Sequence, residues 1–184
     1  MDDATQPPAR IKEIIDREEI IACLRRYTRG MDRQDREMVR SAYHEDAIDI
    51  HGSFVGGLDE FLDWVFRYHA DQHLHQHYMT NHTIDLDGDA AHAETYYQFV
   101  ASYPDPKAKL IIAGGRYIDR LERRMDRWGI VVRICSAEWR SELPMTRSGP
   151  SVDSSKLLDA INISRNGADI SYLRPLTVRR KTSA

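Results

Sequence analysis

The stretch His77–Tyr103, HYMTNHTIDLDGDAAHAETYYQFVASY, sets two runs of β-forming residues around a single Asp87-Gly88 pair. Asp-Gly is a strong hairpin signal, because the tight turn it builds needs positive φ. Two further runs follow, KLIIAGGRYIDRLERR (109–124) and RWGIVVRICSAEWRSEL (127–143). Pro104-Asp105-Pro106 predicts a turn between strands, and Gly114-Gly115 predicts a bulge that bends a long strand. The chain from His75 to Arg140 therefore reads as four long antiparallel strands.

Upstream the period changes. Ile20, Leu24, Tyr27 and Met31 recur at helical spacing. Asp16 with Glu19 has the form of a capping box, and Gly30 of a helix stop, which predicts a helix over 16–30. RQDREMVRSAY (33–43) predicts a second helix, with Met38, Val39 and Tyr43 turned inward. DAIDIHGSFVGG (46–57) predicts a short strand and a turn. LDEFLDWVFRYHA (58–70) predicts a third helix, with Leu58, Phe61, Leu62, Val65 and Phe66 on one stripe. Helices at one end of the chain and strands at the other define an α+β class, a cone-shaped curved antiparallel sheet wrapped around N-terminal helices.

Three segments result: an arm over 1–11, a domain over 12–143 and an extension over 144–184. The extension carries a short helical pattern around Ser154–Ile161. It holds too many apolar residues to be fully solvated, which predicts packing over the cone's mouth or on a neighbouring subunit.

At 184 residues, 41% hydrophobic and 30% charged, with a formal net charge of -3, the composition is that of an ordinary soluble domain. It gives no field for gathering nucleic acid or an anionic membrane. No apolar run approaches the ~18 residues of a membrane span, and the polar, acidic N-terminus is unlike a signal peptide, so a cytoplasmic location is expected. Cys23 and Cys135 lack CxxC spacing and read as buried thiols. No nucleotide loop or nucleophile elbow is found.

The chemistry lies in DQHLHQHYMTNH (71–82), which holds four of the eight histidines. On a strand from His75, alternation puts His75, His77, Met79 and Asn81 on one face. Three readings follow. His73, His75 and His77 have the rhythm of a zinc site of the hydrolase type. A single histidine at a pocket wall, oriented by a carboxylate, is a competent base near neutral pH. Otherwise the histidines are bystanders, the default for His69, His73, His82 and His92. Asp49 and His51 alternate on the first strand and can face a cavity. Trp64, Met79, Phe99 and Trp139 are candidate lining.

The order of elements resembles the nuclear transport factor 2-like superfamily, in its polyketide-cyclase-like and dehydratase branch, which includes scytalone and bile-acid dehydratases. RRYTRGMD (25–32) matches a first helix ending in Tyr then Asp. MVRSAYHEDAIDIHGSFVGGLDEFLDWV (38–65), HQHYMTNHTIDLDGDAAHAETYY (75–97) and DRWGIVVRI (126–134) match its later segments. The resemblance implies His77 as general base, Asp32 as the group that orients it, and Tyr27 as the residue that assists the departing oxygen. It also implies substrate contacts at Asn81, Asp49, His51, His75 and Arg133. The implied activity is a lyase or isomerase without metal or other cofactor. Its substrate would be a small apolar or aromatic hydroxylated molecule, and its assembly a homodimer or homotrimer. Members that only bind ligands, such as oxygenase β subunits, lack a working base–carboxylate pair. The acid/base reading therefore requires His77 and Asp32 within roughly 2.6–3.2 Å.

Overall fold

The structure, a computed structural model, describes residues 9–103, 109–145, 158–159, 162–177 and 179–180. Helix α1 (Ala9–Asp32) leads to α2 (Arg36–Arg40), a hairpin of β1 (Tyr43–His51) and β2 (Phe54–Gly57), and helix α3 (Leu58–Tyr68). The long strands β3 (Leu74–Asp87), β4 (Ala90–Ser102), β5 (Lys109–Arg124) and β6 (Arg127–Pro144) follow. They form one six-stranded sheet in the order β2-β1-β6-β5-β4-β3. All pairings are antiparallel except β1 with β6. The α+β class is as expected, and the curved sheet stays unclosed, with β2 and β3 as its edges.

The core lies between the helices and the sheet's inner face. Ile20, Leu24, Tyr27, Val39, Phe61 and Leu62 pack against Tyr117, Leu121, Trp128 and Ile130. Their packing fixes α1 along the sheet, so the C-terminal end of α1 meets the start of β3.

Several local expectations are corrected. Helix α1 neither starts at Asp16 nor stops at Gly30. Asp16 is buried in mid-helix, where it accepts from Trp128 Nε1 (3.2 Å) and pairs with Arg123 (2.6 Å) and Lys12 (2.9 Å). Gly30 lies inside the helix, and a Cβ there would meet Val39 Cγ2 at 2.7 Å, so the residue serves close approach rather than termination. The second helix is a single turn capped by Asp35, whose side chain accepts from the Met38 N–H at 3.0 Å. Tyr43 already belongs to β1. The short strand is a hairpin of two.

The Asp87-Gly88 turn forms as expected, with φ +60 at Gly88. The register of β5 with β6 shifts between Gly114 and Gly115, the expected bulge. A further shift, between Met79 and His82 in β3, bears on the site. The turn expected at 104–106 lies outside the described residues, as does most of the helix expected at 154–161. Within that span, Leu158–Asp159 (β7) pairs as a strand with Arg179–Arg180 (β8).

The described part of the extension packs on the domain itself. Tyr172 donates to Asp35 (2.9 Å), Arg29 reaches the Ser171 carbonyl (3.2 Å), and Arg165 donates to the carbonyl of Gln72. These contacts lie beside the end of α1 and the start of β3.

Candidate active site

Asp32 is the last residue of α1, and β3 begins opposite it. Its Oδ1 accepts from His77 Nδ1 at 2.8 Å and from His75 Nδ1 at 3.0 Å, and its Oδ2 accepts from the His77 backbone N–H at 3.1 Å. The distance to His77 lies within the reach that the acid/base reading requires. With three donors on it, Asp32 is held down to about 2: burial opposes its charge, and the hydrogen bonds from His75 and His77 outweigh that. A carboxylate accepts only, so both imidazoles carry their proton on Nδ1. This leaves Nε2 of His77 as a free lone pair, the form a general base needs.

The two histidines are not equivalent. His77 lines a cavity of about 450 Å³. His75 is buried, and its Nε2 has no partner among the described residues. Burial lowers His75 to about 4 against the hydrogen bond it donates to Asp32, so it stays neutral. It lines a separate cleft with Arg33, His73 and Arg165. His73 is exposed and takes no part in the Asp32 cluster. Among the described residues, the group that brings possible metal ligands together is Asp32, His75 and His77, not the three alternating histidines.

The main cavity is walled by aromatic and apolar side chains. Trp64, Phe99 and Trp139 line it, joined by Tyr97, Tyr117 and Ile111. Phe99 tilts against His77 with ring centroids 4.9 Å apart. The size and lining are those of a small-molecule pocket. His51 lines it as well.

Other expected site residues lie elsewhere. Asn81 is exposed. The β3 register shift inserts a residue between Met79 and His82, so the odd positions face in before it and Ile84 and Leu86 face in after it. Met79 packs against the core and is not part of the cavity wall. Arg133 is fully buried and bonded twice to Asp119, at 2.7 Å each. Its guanidinium lies over the rings of both Tyr27 and Tyr117, 4.2 and 4.3 Å from their centroids. Burial pushes Asp119 up and the arginine opposes this. Tyr27 is also completely buried, edge-on to His77 at 6.5 Å between centroids, and is not part of the cavity wall. Burial raises its phenol well above the usual range. Asp49 is wholly buried behind His51, accepting from the Tyr43 hydroxyl at 2.7 Å.

Sequence reading missed His69. It closes the C-terminal end of α3, bonds Gln72 Oε1 at 2.9 Å, stands edge-on to His75 at 4.5 Å and lines the cavity. Burial lowers it to about 2, so it is neutral. Tyr97, Tyr117 and Cys135 were also missed, since as strand residues they carry no signal beyond β propensity.

A curved sheet over helices, with a His–Asp pair opening on an apolar pocket, defines the class of small α+β pocket proteins that includes cofactor-independent lyases. The chain belongs to the SnoaL-like domain family, whose pattern matches residues 12–134. No curated protein matches it. Among solved structures, it is similar to the hexachlorocyclohexane dehydrochlorinase LinA-type3 from Novosphingobium barchaimii LL02. The TM-score is 0.69 at 18% identity, over 77% of this chain and 99% of that one. It is also similar to an inferred scytalone dehydratase from Novosphingobium aromaticivorans, with TM-score 0.63 and 14% identity over 74% and 97%. A third is a variant of Rv3472, a Mycobacterium tuberculosis protein of unknown function, with TM-score 0.62 and 21% identity over 71% and 76%. At these identities the likeness is one of fold. No helix among the described residues is long and apolar enough to cross a membrane.

Proposed function

We propose that the chain is a cofactor-independent lyase acting on a small, largely apolar, hydroxylated aromatic or polycyclic molecule. The observation that carries the proposal is the 2.8 Å bond from His77 Nδ1 to Asp32, on a histidine whose other edge faces an aromatic cavity. His77 Nε2 takes a proton from a carbon of the substrate. The electron pair left behind forms the new double bond, the bond to the neighbouring hydroxyl oxygen breaks, and that hydroxyl takes a proton from an acid at the cavity, itself recharged by solvent, and leaves as water. Asp32 keeps the tautomer and stabilises the imidazolium that forms. The apolar wall excludes water and leaves the developing negative charge to spread over the substrate's own π system.

The dehydratase and dehydrochlorinase names of the structural neighbours support an elimination. Exposed Ile48, Ile118 and Ile134 on the sheet's outer face support a homo-oligomer. The test is a screen of hydroxylated aromatic compounds for new conjugation by ultraviolet absorbance, with the wild type beside His77→Ala. Turnover lost in the variant supports the reading. Equal turnover in both proteins refutes it.

A further inference from the structure

The cavity holds a second histidine–carboxylate pair. His51 lies on β1 and His77 on β3, and three strands separate them in the sheet. Curvature brings both to one cavity. His51 Nδ1 lies 3.4 Å from Asp49 Oδ1, an ion-pair distance without hydrogen-bond geometry, and neither atom has a hydrogen-bond partner among the described residues. Asp49 is completely buried, and its other oxygen is held by Tyr43. A buried carboxylate with one neutral donor favours cations beside it. Arg133, opposite Asp49 on β6, gives both its hydrogen bonds to Asp119, and its Nη1 has no partner among the described residues, so Asp49 Oδ1 stays unbonded. His51 is also stacked on Phe61 (5.7 Å) and flanked by Trp64 (5.8 Å) and Tyr117 (6.4 Å), an aromatic surround suited to an imidazolium.

We infer that His51 is the general acid of this site: a standing imidazolium, paired with Asp49, that protonates the departing oxygen while His77 takes the carbon-bound proton. This rests on the lyase reading and narrows its substrate class. The leaving group is an oxygen that needs a proton, as in dehydration, and not a halide that leaves unaided. The step balances. One proton passes from carbon to His77 and one from His51 to the leaving hydroxyl, which departs as water. Proton exchange with solvent then restores both rings.

Burial works against a charge on His51, but its contacts with Asp49 and Cys135 outweigh this and hold it up to about 9. His69, on the same cavity, and His75, in the cleft beside it, are neutral. The titratable and charged groups that line the cavity with His51 are Cys135, Glu138 and Arg140 from β6, Tyr117 from β5, Tyr97 from β4, His77 from β3, and Tyr68 and His69 at the end of α3.

The test needs no substrate. In protein labelled with ¹⁵N-histidine, assigned through His51→Gln, the His51 ring should show both nitrogens protonated at about pH 7.5. In Asp49→Asn it should titrate near the ordinary histidine value. A neutral His51 in the wild-type spectrum overturns the inference, whether or not Asp49→Asn folds. As a second measurement, 4-nitrophenol should bind as its coloured phenolate, with His51→Gln weakening phenolate affinity at least ~10-fold. Equal phenolate affinity in His51→Gln and wild type also overturns it. Both readouts stand apart from His77. If His77→Ala keeps turnover, the base assignment fails with the His51 results unaffected.

Discussion

Two buried acid–base pairs sit close together in this fold and do opposite work. Arg133 and Asp119 join β6 to β5, are fully enclosed, and are closed off by two bonds and two aromatic faces. Asp32 and His77 join α1 to β3, with 17% and 6% of their side chains exposed. The first pair directs its strong contacts at itself. The second keeps one nitrogen free at the edge of a cavity. Charge and burial are common to both, so neither marks a site. What distinguishes them is an unsatisfied atom facing space that a ligand can enter.

Substitutions break this comparison in different ways. His77→Ala should cost activity, about 10²–10⁴-fold in turnover, since it removes the base outright. It should leave stability nearly unchanged, because Asp32 keeps His75 and the residue 77 backbone N–H as donors. Kinetics and a thermal melt on the same sample check both halves. Arg133→Ala should do the reverse: about 3–5 kcal/mol of stability lost, from leaving Asp119 charged and unpaired in the core. Urea denaturation reads that loss directly. Asp32→Asn falls between them. The amide can donate to Nδ1 and select the wrong imidazole tautomer, so turnover should fall about 10²-fold or more with KM little changed.

A third pair sharpens the contrast through pH. His51, raised to about 9 from 6.5, gains protonation on folding. Its contribution to stability is complete below about pH 6.5, declines as pH rises, and is lost above about 9. By linkage the span is worth about 3 kcal/mol. Asp49→Asn should flatten that alkaline decline in denaturation curves measured across the range. A decline of equal slope in the variant would show that another group carries it.

The fold was largely legible, because strand runs, the Asp87-Gly88 turn and apolar periodicity are local signals. The site was legible only in part. His77 stood out as a strand histidine, but its partner Asp32 lies 45 residues earlier. No spacing rule joins a helix end to a strand start, and only the family likeness supplied the link. His69 was passed over because a residue that closes a helix looks the same in sequence whether it faces solvent or a cavity. Asp16 was misread for a related reason. Its Glu19 spacing fits a capping box, while its actual partners, Arg123 and Trp128, are over 100 residues away.

The smallest predicted effect tests the most instructive miss. Strict alternation from His77 puts Asn81 beside it at the cavity wall, where loss of an amide would disturb ligand binding. The register shift between Met79 and His82 turns that side chain out to solvent instead. Residues on either side of the shift keep their inward neighbours: His77 stands opposite Phe99 before it, and Ile84 opposite Ala93 after it. The extra residue therefore re-aims the site without breaking the sheet. Asn81→Ala should accordingly change stability by less than about 0.5 kcal/mol, the range of ordinary surface substitutions, and leave turnover and KM at wild-type values. A rise in KM of about tenfold, or ~1.4 kcal/mol of lost binding, would mean that β3 runs in unbroken alternation, and that Asn81, with His77, faces the substrate.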